Sequence, residues 1–336
     1  MRAIGYQQAT PELSADSFNV MELPDPVPKG RDLLVRVKAL SVNPVDTKIR
    51  RNVSAEPGSF KILGWDAVGI VEQVGSEVSL FKPGDRVFYA GDISRQGTNA
   101  ELHLVDERIV GPAPQSLSDA EAASLPLTAI TAWELLFSRL GVSPGSDGKL
   151  LVIGAAGGVG SILVQLARQL TGLTVIGTAS RPQTREWVEQ LGAHHVIDHA
   201  KPLDEELAKL DIAEVDYVAS LTHTDKHFTA CVNALKPQGK LALIDDPGAL
   251  DIGLMKRKSL SLHWEFMYTR PLFNTDDMQE QHNLLSRVAD LVEQGAIKTT
   301  LGQHLGAISI PGLIKAHTIL ESGKACGKVV LEGFEF

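Results

Sequence analysis

The sequence predicts an α/β protein in which a β-rich segment precedes a doubly wound parallel sheet. An apolar strand runs directly into glycines and then into a helix-patterned segment over 150–170, and strands alternate with helices through 173–245. The first 125 residues are instead short apolar alternations broken by Pro and Gly, as in Pro24-Asp25-Pro26-Val27-Pro28 and Lys82-Pro83-Gly84-Asp85. At 336 residues the chain exceeds what one core usually supports. Two domains are therefore expected: residues 1–125, with 268–336 returning to them, and residues 126–267.

In the first domain, 34–39 sets Val35, Val37 and Ala39 against Arg36 and Lys38, the period of a strand with one wet face. Strands at 67–74 and 86–90 follow, and a small barrel is the expected arrangement. From Leu125 the period changes to a helix through 131–140, a Gly/Pro/Ser loop at 141–148, and then the opening strand and helix. Further strands are expected at 173–179, 195–198, 215–220 and 240–245, with helices at 183–191, 204–210 and 225–235. These strands are short, apolar and β-branched, as strands buried on both faces should be. A strand at 259–266 closes or extends the sheet. A helix near 283–293 and Gly-punctuated strands lead to Phe336.

The turn after the opening strand reads Gly154-Ala155-Ala156-Gly157-Gly158-Val159-Gly160-Ser161, an A-x-G-x-x-G fingerprint with Ala155 where the first glycine is expected. Val159, Ile162, Leu163, Leu166, Ala167 and Leu170 recur at helical spacing behind it, so the free N–H groups of a helix N-terminus face the turn. Glycines allow the tight bend, close backbone approach to phosphates and helix-strand packing, which together make a pyrophosphate cradle. About twenty residues later, a carboxylate would bind the ribose 2′-hydroxyl of NAD. This chain reads Thr178-Ala179-Ser180-Arg181 there. A hydroxyl and a guanidinium suit a 2′-phosphate, so Ser180 and Arg181 select NADPH.

Composition narrows the function classes. The formal charge of −9 and the absence of a basic stripe argue against a nucleic-acid partner. Two cysteines, Cys231 and Cys326, fit a reducing compartment rather than a disulfide framework. With neither a signal-peptide pattern nor an apolar run of membrane-spanning length, a cytoplasmic protein without membrane contact is expected.

Several segments, in order, carry a resemblance: Asn43-Pro44-Val45-Asp46, Gly64-Trp65-Asp66-Ala67-Val68-Gly69 continuing to Gly75, Lys82-Pro83-Gly84-Asp85-Arg86-Val87, Leu125-Pro126-Leu127-Thr128-Ala129-Ile130-Thr131-Ala132-Trp133, the glycine turn, and Gly327-Lys328-Val329-Val330-Leu331. The chain resembles the medium-chain dehydrogenase/reductase superfamily over nearly its whole length, within it the zinc-free quinone oxidoreductase-like branch and the zinc-type alcohol dehydrogenase-like group. The resemblance implies a GroES-like β-barrel catalytic domain, a Rossmann cofactor domain and a homodimer. Zinc enzymes of the family bind metal through two Cys and one His, and the matching positions here hold Asn43, Trp65 and Leu127, with Val45 in place of a proton-relaying hydroxyl. Three or four converging N, S or carboxylate donors are needed, so no metal site is expected. For the cofactor, the resemblance implies contacts at Asn43, Thr131, Ala155, Gly157, Gly158, Val159, Gly160, Leu221, Thr222 and Ile244. His199 matches a position beside the adenine and 2′-phosphate, while Phe266, Met267 and Lys328 could close over the nicotinamide ring.

Without a metal to polarise a carbonyl, the easiest reaction is hydride delivery to an acceptor that spreads its own charge, a quinone or an α,β-unsaturated carbonyl. Asn43 is the expected hydrogen-bond donor to the acceptor oxygen. Asp46, read as an exposed and ionised carboxylate, orients its neighbours. Trp65 either stacks on a planar substrate or fills the space of a missing metal. Two other classes compete: a protein that binds NADPH as a sensor or structural ligand without turnover, and a zinc-dependent alcohol dehydrogenase.

Overall fold

The computed structural model describes residues 1–336, and the chain forms two units, 1–130 with 268–336 and 131–267. In the first unit the alternating segment becomes the long strand Asp32–Val42, which buries Leu33, Val35 and Val37. It pairs antiparallel with Ala67–Val74 and Leu102–Asp106. Its far end pairs with Lys328–Glu332, Val329 opposite Val42, so the chain does return to this unit. The seven-stranded sheet runs Leu301–His304, Lys328–Glu332, Asp32–Val42, Ala67–Val74, Arg86–Tyr89, Val110–Pro112, with Leu102–Asp106 also on Asp32–Val42. A three-stranded sheet of Asn19–Glu22, Arg2–Tyr6 and Lys61–Ile62 completes the β structure of this unit.

Besides the short Asp119–Ala123 and Thr269–Phe273, two helices in this unit escape the sequence pattern. Pro44–Asn52 begins at the Asn43 cap with Pro at its first position. Ile310–Glu321 lies where only strands were expected. Ser309 caps it by accepting from Gly312 N at 3.2 Å, and it buries Leu313, Ala316 and His317. Pro311 and Gly312 look like turn residues, yet Pro fits the first turn of a helix, where its missing N–H would have no partner.

The second unit is the doubly wound sheet. Its six strands are all parallel, in the order His195–Ile197, Thr174–Thr178, Lys149–Ile153, Val215–Ser220, Leu235–Leu243, Ser261–Trp264. The chain leaves the central strand Lys149–Ile153 first to one side and then to the other, which opens a crevice at the carboxyl ends of the strands. Apolar residues on these strands, among them Leu151, Ile176, Val218 and Leu241, are fully buried. Ser261–Trp264 extends the sheet as its outermost strand. No helix in the structure is long and apolar enough to cross a membrane.

The expected helix at 131–140 starts earlier, as Pro126–Trp133, and passes into a turn of π-helix over Glu134–Arg139. Leu140 N bonds five residues back to Leu135 O at 2.9 Å. This wider turn places Glu134 and Arg139 on one face around Glu265, with Arg139 Nε 2.8 Å from Glu265 Oε2. Both glutamates are buried. Burial, then the neighbouring Glu134 carboxylate, push Glu265 up to about 8 against the pull of Arg139. In the unfolded chain this group ionises near the ordinary carboxylate value, so between there and about 8 the folded state holds the extra proton and loses stability as pH rises. Thermal unfolding of wild type and Glu265→Gln from pH 5 to 8.5 should show a shallower decline of Tm with pH in the variant. Parallel declines would mean that Glu265 is ionised throughout.

Candidate active site

The glycine turn has the form of a phosphate cradle, but its glycines do not divide the work as the fingerprint suggests. The positive φ of +82° falls on Gly154, one residue before Ala155. Gly154 N donates to Thr178 Oγ1 at 3.1 Å, which pins the turn to the neighbouring strand. Ala155 has ordinary backbone freedom, and its methyl packs toward Gly177, where an added Cβ would come within 3.0 Å of it. A glycine in the adjacent strand thus makes room for the alanine in the turn. Gly160 is needed for packing, since a Cβ there would lie 2.5 Å from Gly154 O. Gly157 caps the helix Gly158–Leu170, and no side chain occupies that cap. The first-turn N–H groups of Gly158, Val159 and Gly160 therefore point at the turn, as an anion site requires. The turn fits a dinucleotide pyrophosphate.

Except for Thr131, the other expected cofactor residues of this unit follow the carboxyl ends of the parallel strands. Ser180 and Arg181 are exposed just past Thr174–Thr178, Arg181 as the cap of Pro182–Gln190. His199 follows His195–Ile197. Leu221 and Thr222 follow Val215–Ser220, and Ile244 follows Leu235–Leu243. Asp245 ties these last two ends together by accepting from Thr224 N at 2.9 Å. Phe266 is half exposed and Met267 is buried. Thr131 is buried within Pro126–Trp133.

In the first unit, the sequence-expected catalytic residues form a buried polar cluster around Asp66. Its Oδ2 accepts from Ser41 Oγ at 2.9 Å and Asn43 Nδ2 at 3.2 Å and lies 3.0 Å from Lys328 Nζ, while Oδ1 accepts from Leu127 N at 3.0 Å. Asp66 is fully buried and Lys328 only 3% exposed. Asn43 also donates to Ser41 O at 3.2 Å, and its Oδ1 accepts from Lys328 Nζ. Asp46 accepts from Asn43 N at 2.7 Å and Gly64 N at 2.9 Å, a helix cap and a loop anchor in one carboxylate.

This geometry corrects three expectations, for Asp46, Asn43 and Lys328, and favours the space-filling alternative for Trp65. Asp46 is not an exposed carboxylate: it is 1% exposed, and burial pushes it up to about 7 despite its two backbone donors. Both amide protons of Asn43 are committed inside the protein, so the donor to the acceptor oxygen is not found there. Trp65 is fully buried with Nε1 donating to Asp92 O at 3.1 Å, which makes it a space-filling residue with no face for a substrate. Lys328 spends its charge on Asp66 and Asn43 rather than reaching toward a cofactor. Asp66 was not expected as a site residue; an acidic side chain just ahead of the apolar strand Ala67–Val74 was the available signal.

Known proteins agree with this architecture. Residues 29–115 match the family model of the alcohol dehydrogenase GroES-like domain, and residues 191–331 that of a zinc-binding dehydrogenase. A zinc-type alcohol dehydrogenase-like protein of Staphylococcus epidermidis is 41% identical over 337 residues, which covers 98% of this chain and 99% of that protein. A solved structure from Rhizobium etli CFN 42, described as a candidate zinc-dependent alcohol dehydrogenase, has a TM-score of 0.96 at 55% identity, over 100% of this chain and 99% of the other. Escherichia coli quinone oxidoreductase complexed with NADPH has a TM-score of 0.83 at 26% identity, over 99% and 100% of the two chains.

The Asp66 cluster generates a direct test. Lys328→Met leaves a buried carboxylate without its cation and should cost about 3–5 kcal/mol in urea unfolding, whereas adding Asp66→Asn should restore most of that loss. Additive losses in the double variant would show that the two charges do not interact.

Proposed function

The chain belongs to the medium-chain dehydrogenase/reductase superfamily of oxidoreductases, and we propose that within it the protein is a zinc-independent reductase that passes hydride from NADPH to a quinone or an α,β-unsaturated carbonyl. The observation that carries this reading is the ammonium of Lys328 on Asn43 Oδ1. Of the three positions that the family's zinc enzymes use as ligands, Trp65 and Leu127 offer no side-chain donor and Asn43 offers one amide oxygen, already held by a cation. That donor set does not meet the requirement of three or four converging N, S or carboxylate groups.

The glycine turn would hold NADPH by its pyrophosphate, and the bound cofactor would supply the hydride. The chain's own residues then have a limited task. The first-turn amides of Gly158–Leu170 hold the pyrophosphate, and Ser180 with Arg181 takes the 2′-phosphate. The acceptor delocalises its own developing charge, and water supplies the proton, since Asn43, Asp46 and Trp65 are engaged in building the wall of the first unit. The edge strand Ser261–Trp264, with Trp264 half exposed, serves as the pairing strand of a cytoplasmic homodimer.

Purified protein should oxidise NADPH, followed at 340 nm, with 1,4-benzoquinone, 9,10-phenanthrenequinone or simple enones, and should do so after chelation with no zinc by elemental analysis. Retained stoichiometric zinc, or silence toward every acceptor, removes the reading. Arg181→Ala should weaken NADPH binding by roughly tenfold or more, a loss of about 1.5–3 kcal/mol for a charge-assisted contact, and leave NADH nearly unchanged. Equal losses for both cofactors would reject Arg181 as the 2′-phosphate residue.

A further inference from the structure

Three histidines gather at the edge of the second unit where the adenosine end of a dinucleotide would lie. Thr178 pairs with Ile197 across two parallel strands. Ser180 and His199 therefore leave the sheet side by side, each two residues past that pair. His227 stands one turn into the helix Thr224–Ala234 and meets His199 edge to face, with ring centroids 5.9 Å apart at 86°. His223 caps the same helix four residues earlier. Its backbone is left-handed, with φ +49°, a conformation that non-glycine residues seldom adopt. A hydrogen bond of 2.8 Å between its Nδ1 and Thr222 Oγ1 holds the ring in place. The Nδ1 of His199 is buried with no protein partner, which marks a place for a ligand atom.

We propose that His199, His223 and His227 form an imidazole cluster that receives the 2′-phosphate of NADPH together with Ser180 and Arg181, so that cofactor choice is coupled to uptake of a proton. The proposal rests on the NADPH reading above and adds two residues and a pH dependence to it. Burial holds His199 below the ordinary imidazole value against the opposing pull of Asp198, with His223 adding to the lowering, and burial followed by the fields of His199 and His223 holds His227 below it. The other charged groups facing them are Asp198 beside His199, and Asp225 and Lys226 beside His227. Asp198 accepts from Ala200 N at 2.9 Å and lies 3.9 Å from Lys201. Arg185 is engaged elsewhere, donating to Val196 O at 2.7 Å. An arriving phosphate dianion reverses the local balance, because an opposite charge at hydrogen-bond distance favours the protonated ring.

Proton linkage sets the direction of the pH dependence. If the complex binds one more proton than the free protein, affinity falls as pH rises through the imidazole pKa of the complex, by up to about tenfold per pH unit. Between about pH 6.5 and 8.5 the phosphate, with a second pKa of about 6, is already dianionic and contributes little of its own. Dissociation constants for NADPH, NADH, adenosine 2′,5′-bisphosphate and 5′-AMP, measured by titration calorimetry across that range, test the coupling. The constants for the two 2′-phosphorylated ligands should rise several-fold with pH while those for NADH and 5′-AMP stay flat. His227→Gln should flatten the NADPH profile and leave NADH within about twofold. His223→Asn, which tolerates the left-handed backbone, should act in the same direction. A flat NADPH profile, or a His227→Gln variant that loses both cofactors equally and so marks the ring as an adenine wall, overturns the cluster. If wild type prefers NADPH and Arg181→Ala abolishes that preference while the pH profile is flat, only the cluster falls. If no preference for NADPH exists, the cofactor reading falls with it.

Discussion

A carboxylate and an ammonium 3.0 Å apart, both shielded from water, join residue 66 to residue 328 and organise the first unit. Desolvating two such charges costs several kcal/mol each, and the pair is tolerable only when hydrogen bonds satisfy what remains. Asp66 receives donors from Ser41, Asn43 and the backbone of Leu127. Those partners come from the end of Asp32–Val42, the start of Pro44–Asn52 and the helix Pro126–Trp133, while Lys328 comes from the C-terminal strand. The return of the chain terminus into the sheet is thus demanded twice, by strand pairing at Val329 and Val42 and by the buried charge one residue away.

The same pair shows how this unit keeps its form with Asn43, Trp65 and Leu127 around Asp66. Trp65 fills volume, Leu127 offers its backbone N–H, and Asn43 bridges Asp66 and Lys328. A single positive charge is supplied by the protein itself. The polar groups of the cluster are thereby spent on structure.

The second unit shows the opposite balance. Its glycine turn leaves helix N–H groups without side-chain caps, and His199 keeps a ring nitrogen without a partner. Unspent hydrogen-bonding capacity collects at the carboxyl edge of the parallel strands, where a crevice opens because the chain reverses direction around Lys149–Ile153.

Much of this was legible without coordinates. Period-two alternation marked Asp32–Val42 and Ala67–Val74, strand-helix alternation marked the parallel sheet, and the glycine turn marked its binding edge, because each depends on neighbours within one turn or one strand. The helix Ile310–Glu321 was obscured by Pro311 and Gly312, whose turn character yields when the following residues bury a face. Site roles were less legible than site positions. Asp46 and Lys328 read as polar residues open to solvent or ligand, and only the tertiary structure buries them against partners 18 and 262 positions from each, Gly64 and Asp66. Sequence by itself determined the two kinds of layer and the position of the glycine turn between strand and helix. The tertiary structure decided which of the charged groups are committed and which are free to bind, because burial and pairing depend on residues distant in the chain.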